Sequence, residues 1–527
     1  MAEGDTGRSA ARSFGRNVVA LIAARGVAAT ASVLTIPFVF SALGAREFGV
    51  WAILNGLANI TVLADLGLGA AVIWQVAIGV ADGADERAKE RTRAALGLAL
   101  VWGLVLPAVA AVLVTVSWSG IVDLLDFGTT PDSTRIAALW MLGAVLLEGL
   151  GMPWRGVLGG TQRYDVLAAV NTVTGVLGAV LMVVSVRAGG LLALAIASAA
   201  TSGIRTVAVF VVARRQAPHL RATVRGISRA DVRAVGGYGL KVQVTAIGAA
   251  VNLEVDRFVL SGSSGPAVAG GFELGAKVVN LCRLLPAFAI AAVFPVAVTR
   301  TAEHGRPWLD RFSTELTRFV TAAAAVGAAV LVATADPLIQ LWLGEPNPHA
   351  AACIAVLAPA YAVNLAAGSV GIMARVEERP GREAAYALVT VVVNLAATWP
   401  LLHLLGPTGV PLATALGVVV GTVYFIVSYH RLTDRPVRPF VQAVLPALVA
   451  GLPATAAGVL LRDALPDRLG RAAAAGAVAA IGLVVVAVAA ALLVAQRAFG
   501  SADVARVRQV LGRTAAEPEL VAAGSAS

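Results

Sequence analysis

Residues 86–117 read ERAKERTRAALGLALVWGLVLPAVAAVLVTVS. Arg87, Lys89, Arg91 and Arg93 crowd one end, and no charge follows from 94 to 117. A bilayer's hydrocarbon core is about 30 Å thick and takes roughly 20 apolar residues at about 1.5 Å each, so this run is long enough to cross it. Beyond it the chain turns acidic, with Asp123, Asp126 and Asp132 ahead of the next apolar run. Lys and Arg are retained on the cytosolic side of a membrane, so the crossing has a direction as well as a length.

The same unit recurs along the chain. Apolar spans are expected at about 17–43, 47–80, 94–117, 136–154, 165–186, 190–213, 236–260, 266–299, 319–335, 350–374, 384–405, 407–429, 439–461 and 472–496. With 58% hydrophobic and 14% charged residues and a mean hydropathy of +0.81, there is too little polar surface for a soluble domain. The runs are too long, and too little alternated, for an outer-membrane barrel. The fold class is therefore all-α: a polytopic integral membrane protein of about fourteen transmembrane helices. With the N-terminus inside, 29 of the 41 Lys and Arg fall in cytosolic stretches, six outside (Arg46, Arg135, Arg187, Arg462, Arg468, Arg471) and six within spans. Both termini are then cytosolic, and the net charge of +10 is an orientation signal rather than a nucleic-acid signal. The first apolar run is too long for a signal peptide and is expected to stay as the first membrane helix.

Several chemistries are missing. None of Lys89, Lys241 and Lys277 follows a glycine, which removes a Gly-x4-Gly-Lys-Ser/Thr nucleotide loop. The five histidines have no metal-ligand spacing, and the two cysteines, Cys282 and Cys353, lie inside spans, so no metal centre, disulfide framework or cofactor is expected. The longest outer loop, about 117–134, is short for a membrane glycosyltransferase, and the chain is not expected to be an enzyme.

The two halves echo each other. Gly44, Gly49, Trp51 and Asn59 stand at offsets 0, 5, 7 and 15, and so do Gly265, Gly270, Phe272 and Asn280. A weaker echo pairs Tyr164 and Asn171 with Tyr386 and Asn394. Six crossings per half put the halves in parallel, so the expected organisation is an N-lobe at 17–213, a basic cytosolic linker at 214–235, a C-lobe at 236–431, an appendage of spans 13 and 14 at 437–497, and a disordered cytosolic tail at 498–527. The linker reads either as an interfacial helix or as a solvated basic loop beside anionic lipid.

Ionisable residues inside spans are costly against lipid and are expected to line a cavity or to pair. Arg25 lies in span 1 and needs Asp65 of span 2 or an anionic ligand as partner. Glu273, Lys277 and Asn280 share a face of span 8, as do Asn252 and Asp256 in span 7 and Asn55 and Asn59 in span 2. Glu273 and Lys277 are a self-neutralising pair or part of a substrate site. Asp256 and Arg257 are close enough to the outer interface to reach water. Glu148 is a proton or cation site or a protonated structural carboxyl.

Arg25, then Leu43-Gly44-Ala45-Arg46-Glu47-Phe48-Gly49-Val50-Trp51, then Ala64-Asp65-Leu66-Gly67-Leu68-Gly69 resembles the opening of polysaccharide or oligosaccharide flippases of the MOP exporter superfamily, the Wzx-like branch. Gly159-Gly160-Thr161-Gln162-Arg163-Tyr164, Asp256-Arg257, Gly270-Gly271-Phe272-Glu273-Leu274 and Gly406-Pro407-Thr408-Gly409-Val410-Pro411-Leu412-Ala413-Thr414-Ala415 follow in the same order, so the resemblance covers about 15–435. It implies a V-shaped pair of lobes in a bacterial cytoplasmic membrane that moves undecaprenyl-pyrophosphate-linked oligosaccharide from the inner to the outer leaflet. Under that implication Arg25, Lys277, Arg283 and Arg257 attract pyrophosphate, and Asn55, Asn59, Asn252 and Asn280 contact sugar. Asp65, Glu148, Asp256 and Glu273 are candidates for coupling to H+ or Na+. Expected partners are the lipid-linked substrate, membrane lipids and the polymerase and glycosyltransferases of the same pathway; the protein is expected to be a monomer that binds no nucleic acid. A single intramembrane arginine in the first two spans departs from relatives devoted to the peptidoglycan precursor. A multidrug or cation antiporter of the same superfamily and, further off, a glycan-modifying membrane enzyme are the alternatives.

Overall fold

In hydrocarbon every backbone N–H and C=O must find its partner within the segment, which makes long apolar runs helical. The computed structural model describes residues 2–63, 67–81, 86–127, 132–220, 222–223, 228–379 and 381–499; within helices the side chains at 2–25, 28–29, 32, 60–63, 234, 237–253, 284–285, 287–289, 291–292 and 295 fall outside that description. Among the described residues the chain is helical nearly throughout and has no strand, as expected. The helices are α1 (Ala2–Leu63), α2 (Leu68–Gly79), α3 (Glu86–Val116), α4 (Trp118–Leu124), α5 (Asp132–Gly160), α6 (Tyr164–Gln216), α7 (Arg229–Ser264), α8 (Pro266–His304), α9 (Arg306–Ala333), α10 (Ala335–Leu343), α11 (Pro348–Ala366), α12 (Gly368–Val376), α13 (Gly381–Leu405), α14 (Gly409–Leu432), α15 (Arg438–Asp463) and α16 (Arg471–Ala495).

Nine helical stretches among the described residues are long and apolar enough to cross a membrane. Two of them, Tyr164–Gln216 and Gly381–Leu432, are more than twice the roughly 20 residues one crossing needs. Both are interrupted by glycine: Gly189 and Gly190 leave helical geometry inside α6, and Gly406 takes a positive φ between α13 and α14. Large apolar side chains point outward, as a lipid-facing surface requires, with Leu404 78% and Val494 76% exposed.

The sequence echo is written into the backbone. Gly44 interrupts α1 at φ 74°, ψ 170°, and Gly265 separates α7 from α8 at φ 89°, ψ 162°. A side chain strains at both, and glycine does not. Gly49 and Gly270, the next members of the echo, then meet across the molecule, where a Cβ on Gly270 would stand 2.9 Å from the Gly49 Cα and one on Gly49 would overlap the Pro266 carbonyl.

Around that contact one buried core joins both halves, running from Phe40, Phe48 and Ile53 through Leu260 and Leu274 to Ile354. Away from that contact the core of the described residues divides. One cluster centres on Leu96, Leu158 and Val209, and a separate one on Leu309, Met373 and Tyr429. Helices α15 and α16 pack on α9 and α10, tied by Gln340 donating to the Asp467 carbonyl at 3.0 Å and by an Arg462–Asp336 ion pair at 3.1 Å.

Three local features depart from expectation. The short helices α4 and α10 form in outer loops, and the tenth span breaks at Ala367 into α11 and α12. In the linker α6 runs on to Gln216, and α7 already starts at Arg229 on a capping box in which Ser228 and Asp231 each bond the other's backbone.

Candidate functional site

Helices α7 and α8 meet α1 next to the glycine contact, and the charges they carry converge there. Arg257 lies 2.9 Å from Glu254 on its own helix and 2.7 Å from Glu273 on α8. Glu273 also holds Lys277, one turn on, at 2.9 Å. Asn59 of α1 donates to Glu254 at 3.2 Å, and Arg257 reaches the Ala52 carbonyl at 3.5 Å, so the network bridges the two halves. Lys277 stands 5.9 Å from the ring of Trp51, a cation–π arrangement across the same seam.

These groups border a cavity of about 130 Å³ whose wall holds three carboxylates (Glu254, Asp256, Glu273) and two cations (Arg257, Lys277), with Asn280, Tyr361 and Thr414. The pairing of Glu273 with Lys277 follows from its spacing, but Arg257 is a third member that spacing on one helix does not reveal. The expectation that Asp256 and Arg257 reach outer water is overturned. Asp256 is buried and accepts a hydrogen bond from the Thr414 hydroxyl, while Asn394 of α13 sits next to that hydroxyl at 3.4 Å. The Arg257 side chain is 11% exposed, turned into the protein by two carboxylates.

The remaining candidates scatter. Arg283 stacks 4.5 Å over Tyr361, which the cavity shares with a smaller one of about 60 Å³. Asn55 donates to the Trp51 carbonyl of its own helix at 2.9 Å. The side chains of Arg25 and Asn252, and the whole of Asp65, lie outside the described residues. Glu148 does not border the cavity at Arg257: it pairs with Arg155 at 2.8 Å and with Arg205 of α6 at 2.9 Å. Glu148 and Arg155 border a second cavity, of about 240 Å³, walled by α2, α3, α5 and α6. Arg155, one residue beyond the expected span 136–154, belongs to α5 because the helix continues to Gly160. Its spacing of seven from Glu148, two helical turns on one face, was the available signal.

A third cluster lies where α9, the end of α12 and α14 meet. Arg435, between α14 and α15, donates to Asp310 at 2.6 Å, to Glu377 at 2.8 Å and to the Tyr429 hydroxyl at 3.2 Å. Burial works to raise the Glu377 carboxyl, but the hydrogen bonds from Arg435 and Tyr429 outweigh it and hold the group below its ordinary value. Burial likewise opposes the Arg435 charge, and its bonds to Glu377 and Asp310 raise it above the usual arginine value.

The model of a family described as polysaccharide biosynthesis protein matches residues 14–299. No curated protein matches the sequence significantly. Among solved structures, the chain is similar to a lipid II flippase MurJ in an inward closed conformation, with a TM-score of 0.67 and 12% identity over 90% of this chain and 98% of that one. It is also similar to the inward-facing conformation of a multidrug resistance MATE family transporter of the MOP superfamily, at TM-score 0.57 and 13% identity over 76% and 94% of the two chains. A mutant of the Vibrio cholerae MATE transporter VcmN gives 0.56 and 15% over 81% and 98%. At these identities the likeness is one of fold.

Proposed function

The chain belongs to the polysaccharide biosynthesis protein family, and from that premise we propose that it is a flippase: it moves undecaprenyl-pyrophosphate-linked oligosaccharide, the repeat unit of a cell-surface polysaccharide, from the inner to the outer leaflet of a bacterial cytoplasmic membrane. The observation that carries the reading is the charged, partly enclosed cavity walled by α7, α8, α11 and α14, whose charged network reaches α1 through Asn59 and the Ala52 carbonyl. A pyrophosphate-linked glycan needs cations for its phosphates and polar groups for its hydroxyls, and Arg257, Lys277, Asn280 and Asn59 supply both within one network. Arg283, stacked on Tyr361 of the same cavity wall, is a further cation for the phosphates, and Arg25, its side chain outside the described residues, stays a candidate from the sequence. The two halves, 17–213 and 236–431, then rock about the seam they share, with both termini cytosolic. Coupling to H+ or Na+ falls to Asp256, whose carboxylate with the oxygens of Thr414 and Asn394 offers a compact acceptor set on three helices. Glu148, held by two arginines far from the seam, is better suited to fixing α5 against α6.

The test is complementation: in a strain lacking the gene, Arg257→Ala or Lys277→Ala should insert normally yet restore no surface polysaccharide. Full restoration by both would sink the assignment. One observation favours a second reading. The cavity wall holds one more carboxylate than cations, which suits a cationic substrate, as a drug or cation antiporter would carry. That reading predicts altered drug tolerance with unchanged surface glycan in the same strain.

A further inference from the structure

The cavity cations are already taken. Arg257 faces Glu254 and Glu273, and Lys277 faces Glu273, so an incoming phosphate meets cations whose charge is answered and a wall with a carboxylate in excess. Two buried donors beside them have no partner among the described residues: the Arg257 Nε–H and the Trp51 Nε1–H. Orphaned donors in such a place cost free energy unless an acceptor arrives. The Glu254 Oε2 lies 2.9 Å from Arg257 but without hydrogen-bond alignment, so charge rather than direction holds it. The carboxylate held least firmly is also the one that Asn59 of the other half grips.

We propose that Glu254 and Glu273 act as an internal stand-in for the substrate's phosphates. They occupy Arg257 and Lys277 in the unloaded protein and tie the halves together through Asn59. A pyrophosphate displaces them, and with them goes the Asn59–Glu254 tie and the reach of Arg257 to the Ala52 carbonyl. Binding thereby loosens the seam, so that the ligand's differential contacts with the two states drive the change. The proposal rests on the pyrophosphate reading above. It adds that the two glutamates set affinity by competition rather than by contact, and its sign is opposite to that of a supporting role. A carboxylate that merely orients Arg257 helps binding, whereas a competitor opposes it.

The experiment uses the full chain in phosphatidylcholine nanodiscs, with farnesyl pyrophosphate as probe in calorimetric titrations. Spin labels at Glu47→Cys and Glu345→Cys, in a Cys282→Ser and Cys353→Ala background, report the separation of the halves. Glu254→Gln and Glu273→Gln should each bind the probe at least about tenfold more tightly than wild type, or about 1.4 kcal/mol. Without probe, their label distances should shift toward those of loaded wild type. Weaker or unchanged binding in the variants overturns the competition, and if Glu273→Gln fails to insert, Glu254→Gln decides alone. No binding by wild type or either variant overturns the pyrophosphate reading, and this proposal with it.

Discussion

Arg435 joins Asp310 of α9, Glu377 beyond α12 and Tyr429 of α14 with one guanidinium whose side chain is 6% exposed. Removing it leaves two carboxylates facing each other without their cation, so Arg435→Gln should cost about 2 kcal/mol, less than the roughly 3–5 kcal/mol of a fully buried pair because the Asp310 side chain is 42% exposed and screened by solvent. Thermal unfolding in detergent reads this directly. The Glu377 carboxyl is depressed in the folded protein, so its stabilisation is complete above the ordinary glutamate value, about 4.3, and is lost as pH falls through the lower folded value. The melting temperature of wild type should therefore fall below about pH 4.3 more steeply than that of Arg435→Gln; parallel curves would remove Glu377 from the account. Glu148 is a comparable case within the membrane. Glu148→Gln should destabilise by about 3 kcal/mol by stranding Arg155 and Arg205, and adding Arg205→Met should recover part of the loss. Additive losses in that double mutant would rule out the pairing.

At the scale of elements, glycine decides where helices turn and how near they come. Ala at Gly44 imposes a side chain on a positive φ and should cost about 1–2 kcal/mol. Val at Gly49 cannot be accommodated against Pro266, so the protein should insert but lose transport, and label distances across the seam should lengthen. Unchanged distances would mean that the helices shift to make room. The all-helical, membrane-spanning character was legible because the length and apolarity of a run are local properties that the bilayer itself imposes. The Glu273–Lys277 pair was legible for the same reason, since a spacing of four defines a face. Arg257's bridge from Glu254 to Glu273, Thr414's bond to Asp256 and Arg205's pairing with Glu148 depend on which helices become neighbours, and no period in the chain encodes that. Asp256 was misread because its distance from the span end was taken as access to water, whereas packing of α7 against α13 and α14 seals it.

For the whole molecule, orientation is open to a direct check. A membrane-impermeant maleimide should label Glu345→Cys in intact cells and Arg311→Cys only after permeabilisation, in a background without Cys282 and Cys353; the reverse order would invert the topology. The shared core near the glycine contact, against divided cores at the far ends, makes that contact the natural fulcrum. Gly49 and Gly270 occupy the same offset in the two halves, and they meet. If the two halves are copies related by a two-fold axis, the point where these equivalent positions touch lies on it, and a patch on such an axis is complementary to itself. An ancestral chain of half this length would thus have carried, in one glycine, the means to pair with a twin. If that inheritance persists, residues 1–221 and 222–527 produced as separate polypeptides should find each other in the membrane and co-purify, and Gly49→Val should keep them apart.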